Sequence, residues 1–197
     1  MRWTTLYARS RQVPRSLFVA IAAAAVACLL WAVFSDDPTV GDRLMTTGVM
    51  LGTAALGLTL GTFDEELNRT AAHHWPLRRA LHLLLALGVL VALALATRLG
   101  PAHFAPFPTV LRNVVGLLGL TALGAAVLGA DLSWLGSAVW TLVCVLPFGG
   151  PSPDVLTQMA TWPVQTSDAT AATVSAVVLA LAGATAYTFY GCPERAA

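Results

Sequence analysis

Between Phe63 and Ala80 the chain carries its densest run of ionisable side chains, Asp64-Glu65-Glu66-Leu67-Asn68-Arg69-Thr70-Ala71-Ala72-His73-His74-Trp75-Pro76-Leu77-Arg78-Arg79. Carboxylates, imidazoles and guanidinium groups in one stretch raise three chemistries: metal binding, acid–base catalysis and charged docking. Metal binding fits poorly. Adjacent histidines on a helix point about 100° apart, so His73 and His74 cannot chelate as an i, i+4 pair does. Glu66 and His73 share a face but stand two turns apart, about 10 Å, too far to hold one ion without other ligands. His82 brings no further ligand of that spacing. No metal site is expected.

Catalysis fits no better. The serines are dispersed, no G-x-S-x-G occurs, and no histidine–acid pair stands in a recognisable context. All 11 basic residues are arginine. Without lysine there is neither a Walker-type phosphate loop nor a Schiff base, so any ATP-driven activity needs an ATPase on another chain. Cys28 and Cys144 lie in apolar stretches and Cys192 lies beyond the last one. An odd, scattered set of three argues against disulfides and zinc. The reading is no enzyme, no catalytic residue and no cofactor.

Docking remains. Thr62 followed by Glu65 is a capping-box pattern, and Glu65 and Arg69 stand at the favourable i, i+4 spacing. Acids at the start suit the helix dipole, and Pro76 ends the helix. The run therefore predicts a short charged helix over 64–76, anchored by Trp75 and turned back by Arg78 and Arg79. Glu65, Glu66, Arg69, His73 and Trp75 are its candidate contacts to a partner; a solvated connection is the plain alternative.

The elements around this run are apolar. Of the 197 residues 57% are hydrophobic and 11% charged, and mean hydropathy is +0.73. That leaves too little polar surface to coat a water-soluble globule. A membrane-crossing helix takes about 20 apolar residues, and six stretches qualify, at about 16–34, 44–63, 80–99, 110–129, 132–148 and 171–190. Proline and glycine clusters close several of them, as at Gly100-Pro101, Gly149-Gly150-Pro151 and Gly191-Cys192-Pro193. The expected fold is all-α: a polytopic transmembrane bundle over 16–192, with a basic interfacial lead at 1–15 and a tail at 193–197. The first stretch ends in Trp31-Ala32-Val33-Phe34 rather than small residues, so it reads as an uncleaved helix. With the amino terminus inside, eight arginines fall on inner segments and three (Arg43, Arg98, Arg112) on outer ones. This places both termini in the cytoplasm, at the cell membrane. A net charge of +1 gives no reason to expect nucleic acid.

Within the stretches, Gly48 and Gly52, and Gly57 and Gly61, stand four apart, and Gly116 and Gly124 repeat the theme in the fourth. Small residues so spaced let helices approach closely, within the bundle or against another subunit. Arg98 and Arg112 lie near span ends, where they snorkel to the interface or meet an acidic ligand or lipid. Arg112 stands near a helix start, where the dipole disfavours it, so a partner is expected, whether an acidic ligand, a lipid headgroup, or Asp36 or Asp37 in the neighbouring outer loop. No stretch carries a carboxylate near its midpoint, which counts against an ion-coupled carrier. The segment Pro151 to Pro163 is long for a connection; Ser152 or Asp154 is placed to cap a short helix running to Trp162.

This layout resembles the membrane subunit of type-2 ABC exporters: a basic lead (1–15), six spans, a coupling helix between the second and third (64–76), and a helical excursion between the fifth and sixth (151–165). It is also similar to small, alanine-rich actinobacterial membrane proteins that accompany ABC ATPases. The resemblance implies a non-catalytic transport subunit driven by a cytoplasmic ATPase, with Glu65, Glu66, Arg69, His73 and Trp75 facing that partner. The chain is shorter than a usual permease of that kind, which implies one half of a homo- or heterodimer or an accessory subunit. Two other functions compete: a structural or assembly protein binding another membrane complex through its glycine faces, and, last, an ion-coupled carrier.

Overall fold

The computed structural model describes residues 13–33, 38–61, 75–97, 105–145 and 151–193. Among them are seven α-helices and three short 3-10 turns, with no strand. Helix α1 is Val13–Val33 and α2 is Pro38–Gly57, continued by the 3-10 turn Leu58–Leu60. Helix α3 is Trp75–Ala96, and α4 is Phe107–Leu128, followed by the turn Ala130–Leu132. Helix α5 is Trp134–Val145, α6 is Val155–Ala160, and the turn Trp162–Val164 leads to α7, Thr170–Tyr190.

Four stretches are long and apolar enough to cross a membrane: Arg43–Leu60, Pro76–Ala96, Phe107–Leu128 and Thr170–Tyr190. The first and fifth expected spans correspond to the shorter apolar stretches Pro14–Leu30 and Ala130–Val145. At 1.5 Å per residue, the 22-residue α4 is about 33 Å long, enough for a hydrocarbon core of about 30 Å. Leu77, Leu84, Leu142 and Leu181 are each more than 60% exposed. A surface so rich in bare leucine fits an integral membrane protein.

Prolines open four of the helices. Pro38 begins α2, and Pro14, Pro76 and Pro108 are the second residues of α1, α3 and α4. A first-turn residue has no intrahelical use for its N–H, so proline loses nothing there. This differs from the expectation that Pro76 ends a helix before a span starting near Ala80. The span begins at Trp75, and Arg78 and Arg79 lie in its first turns. Glycines in the left-handed region close α4 and α7: Gly129 at φ 86° and Gly191 at φ 72°.

Helix α4 is the axis of the bundle and packs on α2, α3, α5 and α7. Twelve of its 22 residues are buried, against four of 21 over Pro76–Ala96 of α3 and four of 21 in α7, so these two give most of their surface to the surroundings. Its closest partner is α7. A Cβ at Gly119 would meet the backbone of Ala180, and one at Gly183 would meet the Gly119 carbonyl, so the two helices touch backbone to backbone. Fully buried Ala122, Ala172 and Ala176 extend this small-residue seam. Hydrocarbon tails are as apolar as leucine, so such contact must come from close packing. Hydroxyls buried in the bundle turn inward. Thr53 donates to Met50 O at 2.8 Å, Thr59 to Leu56 O at 2.6 Å and Thr121 to Ser137 Oγ at 3.1 Å. Each saves a polar group from facing hydrocarbon unpaired.

Candidate functional site

The most polar buried region lies where α4 begins. Thr109, Arg112 and Asn113 share one side of its first turns, and the 151–169 segment folds down onto them. Arg112 is 6% exposed. Its guanidinium donates through Nη1 to Thr166 O at 2.9 Å and through Nη2 to Gln165 O. Asn113, 1% exposed, donates through Nδ2 to Pro163 O at 2.8 Å and to Thr46 Oγ1 on α2 at 3.1 Å. The Thr46 hydroxyl also lies 3.3 Å from Pro163 O. One polar side chain from each of two spans thus converges on a single carbonyl of the segment above them.

The segment is itself stitched together. Asp154 caps α6, its Oδ2 accepting from Thr157 N and Thr157 Oγ1, both at 2.8 Å. These two bonds, backbone first, hold the exposed Asp154 carboxyl below the ordinary aspartate range. A hydrogen bond from the Thr166 hydroxyl does the same for Asp168. Gln165 Oε1 accepts from Ser152 N at 3.1 Å, and Gln165 Nε2 donates to Thr161 Oγ1 at 2.6 Å. Ser175 of α7 donates to Met159 O at 3.0 Å and so fastens α6 to the last helix. The Trp162 ring, fully buried, occupies a slot made by Gly116 and Ala176, and a Cβ at Gly116 would stand 2.5 Å from the ring. On the free side, Val155 and Leu156 are 58% and 75% exposed. A short helix with a fixed polar side and bare aliphatics suits the water–lipid interface.

Four polar atoms of this region are buried without a hydrogen-bond partner: Thr109 Oγ1, Arg112 Nε, Asn113 Oδ1 and Trp162 Nε1. The acceptors of Arg112 among the described residues are carbonyls, not carboxylates. This is a cationic clamp that fixes a cap, with no nucleophile beside a base. Among the described residues no three His, Cys, Asp or Glu side chains gather as metal ligands would.

The opposite end of the bundle has its own fastening. Tyr187, 1% exposed, donates to Leu60 O at 2.9 Å, and Cys192 Sγ lies 3.5 Å from the same carbonyl. His82 Nε2 and Thr59 Oγ1 are 2.9 Å apart. The 3-10 turn after α2 is thereby tied to α3 and to the end of α7.

The residues singled out in the sequence divide among these places. Arg112 is buried under the cap instead of reaching outward. Gly48 lies against Ala27, Gly52 against Leu90, Gly57 against Ser133 and Thr121, Gly61 against Ala130, Gly116 against Trp162 and Gly124 against the Ser133 backbone. All six face other elements of the same chain. Asp36, Asp37, Glu65, Glu66, Arg69, His73 and Arg98 lie outside the described residues, as does the side chain of Trp75. Sequence reasoning missed Thr46 and Gln165. Thr46 gave a faint signal as a polar residue inside an apolar stretch, and Gln165 gave none.

No family model, curated protein or solved structure matches this chain.

Proposed function

We propose that this chain is the non-catalytic membrane subunit of an ABC-type transporter, a permease or accessory subunit driven by an ATPase on a separate chain. The reading rests on layout. The observation that carries it is the helical excursion α6, set between the fifth apolar helix and the last span and sealed by Trp162 and Arg112. Such an excursion is the outer feature of the type-2 exporter arrangement. In this reading all six apolar helices span the cell membrane, with the Arg112 end outside and both termini in the cytoplasm. The 64–76 segment then meets the ATPase, and a second membrane subunit completes the transporter.

The competing assembly role is weakened by the glycines. It needs their faces open to another complex, yet all six face partners inside the bundle. The four candidate spans also carry no Asp or Glu, which leaves an ion-coupled carrier without its coupling carboxylate. The test is purification of the tagged protein in mild detergent from its native membrane, with mass spectrometry of what accompanies it. A stoichiometric ATPase, lost when Glu65, Glu66 and Arg69 are reversed in charge, is the expected result. Recovery alone, or with only membrane-embedded partners, overturns the proposal.

A further inference from the structure

A groove of about 250 Å³ runs between α3, α4 and α7. Its walls are aliphatic and small: Leu83 and Leu87 of α3, Leu118 and Ala122 of α4, Ala180 and Ala184 of α7. The Gly119–Gly183 contact creates it, because drawing α4 onto α7 leaves α3 bridging two helices it cannot fully fill between. On α3 the groove extends from Ala80 to Leu87, about 10 Å along the helix axis. One leaflet of the hydrocarbon core is about 15 Å deep, so the groove follows two thirds of an acyl chain's path. Leu84 on its rim is 63% exposed, so the groove opens sideways to the bilayer.

A cation stands at one end. Arg79 precedes Ala80, packs its guanidinium on Gly191, and donates to the carbonyl of Thr188, a groove residue, over a long 3.5 Å. Among the described residues it has no carboxylate partner. The planar fork keeps further N–H donors, which match a phosphate in charge and geometry.

We propose that this groove holds one acyl chain of an anionic phospholipid whose phosphate sits on Arg79. Aliphatic walls of leaflet depth and a cation at headgroup height recognise the two parts of such a lipid together. The inference needs only that the bundle lies in a membrane, and stands apart from the ATPase reading.

The test is native mass spectrometry of the delipidated full chain in mild detergent, offered phosphatidylglycerol and phosphatidylcholine in equal amounts. One phosphatidylglycerol per chain is expected, preferred about fivefold, the effect of one arginine at the membrane surface. R79Q should abolish that preference while still binding either lipid weakly. A184F fills the groove and should abolish retention. Should A184F fail to fold, L84W, at an exposed rim position, narrows the same groove. Equal retention of the two lipids by the unaltered protein overturns the proposal, as does undiminished retention in the filled variants. Inorganic phosphate competing as well as the lipid would reduce the site to a bare anion contact and also overturn it. A dimer holding no lipid would put a second chain in the groove and overturn it too.

Discussion

The α4–α7 seam makes a test in which one substitution at two glycines has opposite signs. Gly183 is buried with its Cα against the Gly119 carbonyl, whereas a Cβ at Gly88 of α3 meets nothing within 4 Å. Glycine in a helix is about 0.8–1.0 kcal/mol less favourable than alanine in water. The gain is smaller in a bilayer, where the dissociated state keeps its helices. G88A should therefore stabilise by up to about 1 kcal/mol. At Gly183 the obstacle is backbone, which cannot swing aside as a side chain does. Overpacking a close-fitted interior costs about 1–3 kcal/mol. Parting the helices instead by about 0.5–1 Å forfeits a quarter to a half of each van der Waals contact along the seam. That loss reaches fully buried Leu117, Ala122 and Ala176. A clash with backbone puts G183A at the upper end of that range, and net of a propensity gain of at most about 1 kcal/mol it should lose about 2 kcal/mol. Unfolding in mixed dodecyl maltoside and SDS micelles, followed by far-UV circular dichroism, reads both variants. Shifts of the same sign would refute the backbone-contact account.

Three further outcomes follow from the cap and the interior. R112A leaves the Gln165 and Thr166 carbonyls without their donor at about 1–3 kcal/mol each, so amides of 161–169 should exchange faster with deuterium. R112K, a point charge without the fork, should recover only part, and unchanged exchange in R112A would dismiss the clamp. Because the folded Asp154 pKa is depressed, its contribution to α6 is complete above the ordinary aspartate value of about 3.9 and fades as pH falls through the lower folded value. Protection of the α6 amides, taken relative to their intrinsic exchange rate at each pH, should accordingly fall below about pH 4, an acid effect that D154N should not show. Cys144 is 1% exposed and its Sγ lies 3.7 Å from Ala160 O, so maleimide should reach it only after denaturation. Rapid labelling in the native protein would mean that α5 and the cap separate.

The helices were legible because hydrocarbon demands long apolar runs, and that demand survives any packing. The last span, expected at 171–190, runs Thr170–Tyr190. A boundary shifts where proline reads as a stop and acts as a start, as at Pro76. Asp154 was legible as a cap because an N-cap is a local event within three residues. Arg112 was read by its neighbours in sequence, which place it at a span end where cations snorkel. Its fate was set instead by a segment more than fifty residues away. Gly183 carried no signal for a like reason. Its partner Gly119 lies on another helix, and a seam made of one glycine from each side has no spacing to read.

The distribution of these contacts says which parts of the bundle can move. Helices α4 and α7 meet through backbone, and the cap is fastened to both through Arg112, Trp162 and Ser175. Bending there breaks close packing and several hydrogen bonds together, so α4, α7 and the cap behave as one body. Helix α2 and its 3-10 turn are fastened to that body through Thr46 and Leu60, but the contacts of α2 with α1 and α3 are softer. A Cβ at Gly52 would meet only the end of the Leu90 side chain, and one at Gly48 would stand 3.3 Å from the Ala27 Cβ. Helix α3 is mostly uncovered and shares with α4 and α7 a groove that protein does not fill. Any motion delivered to the 64–76 segment enters the bundle through the ends of α2 and α3, the two elements nearest this compliant side. Of the two, α3 is the freer to shift against the α4–α7 body, and the lipid proposed for the groove then lies in the seam that opens and closes.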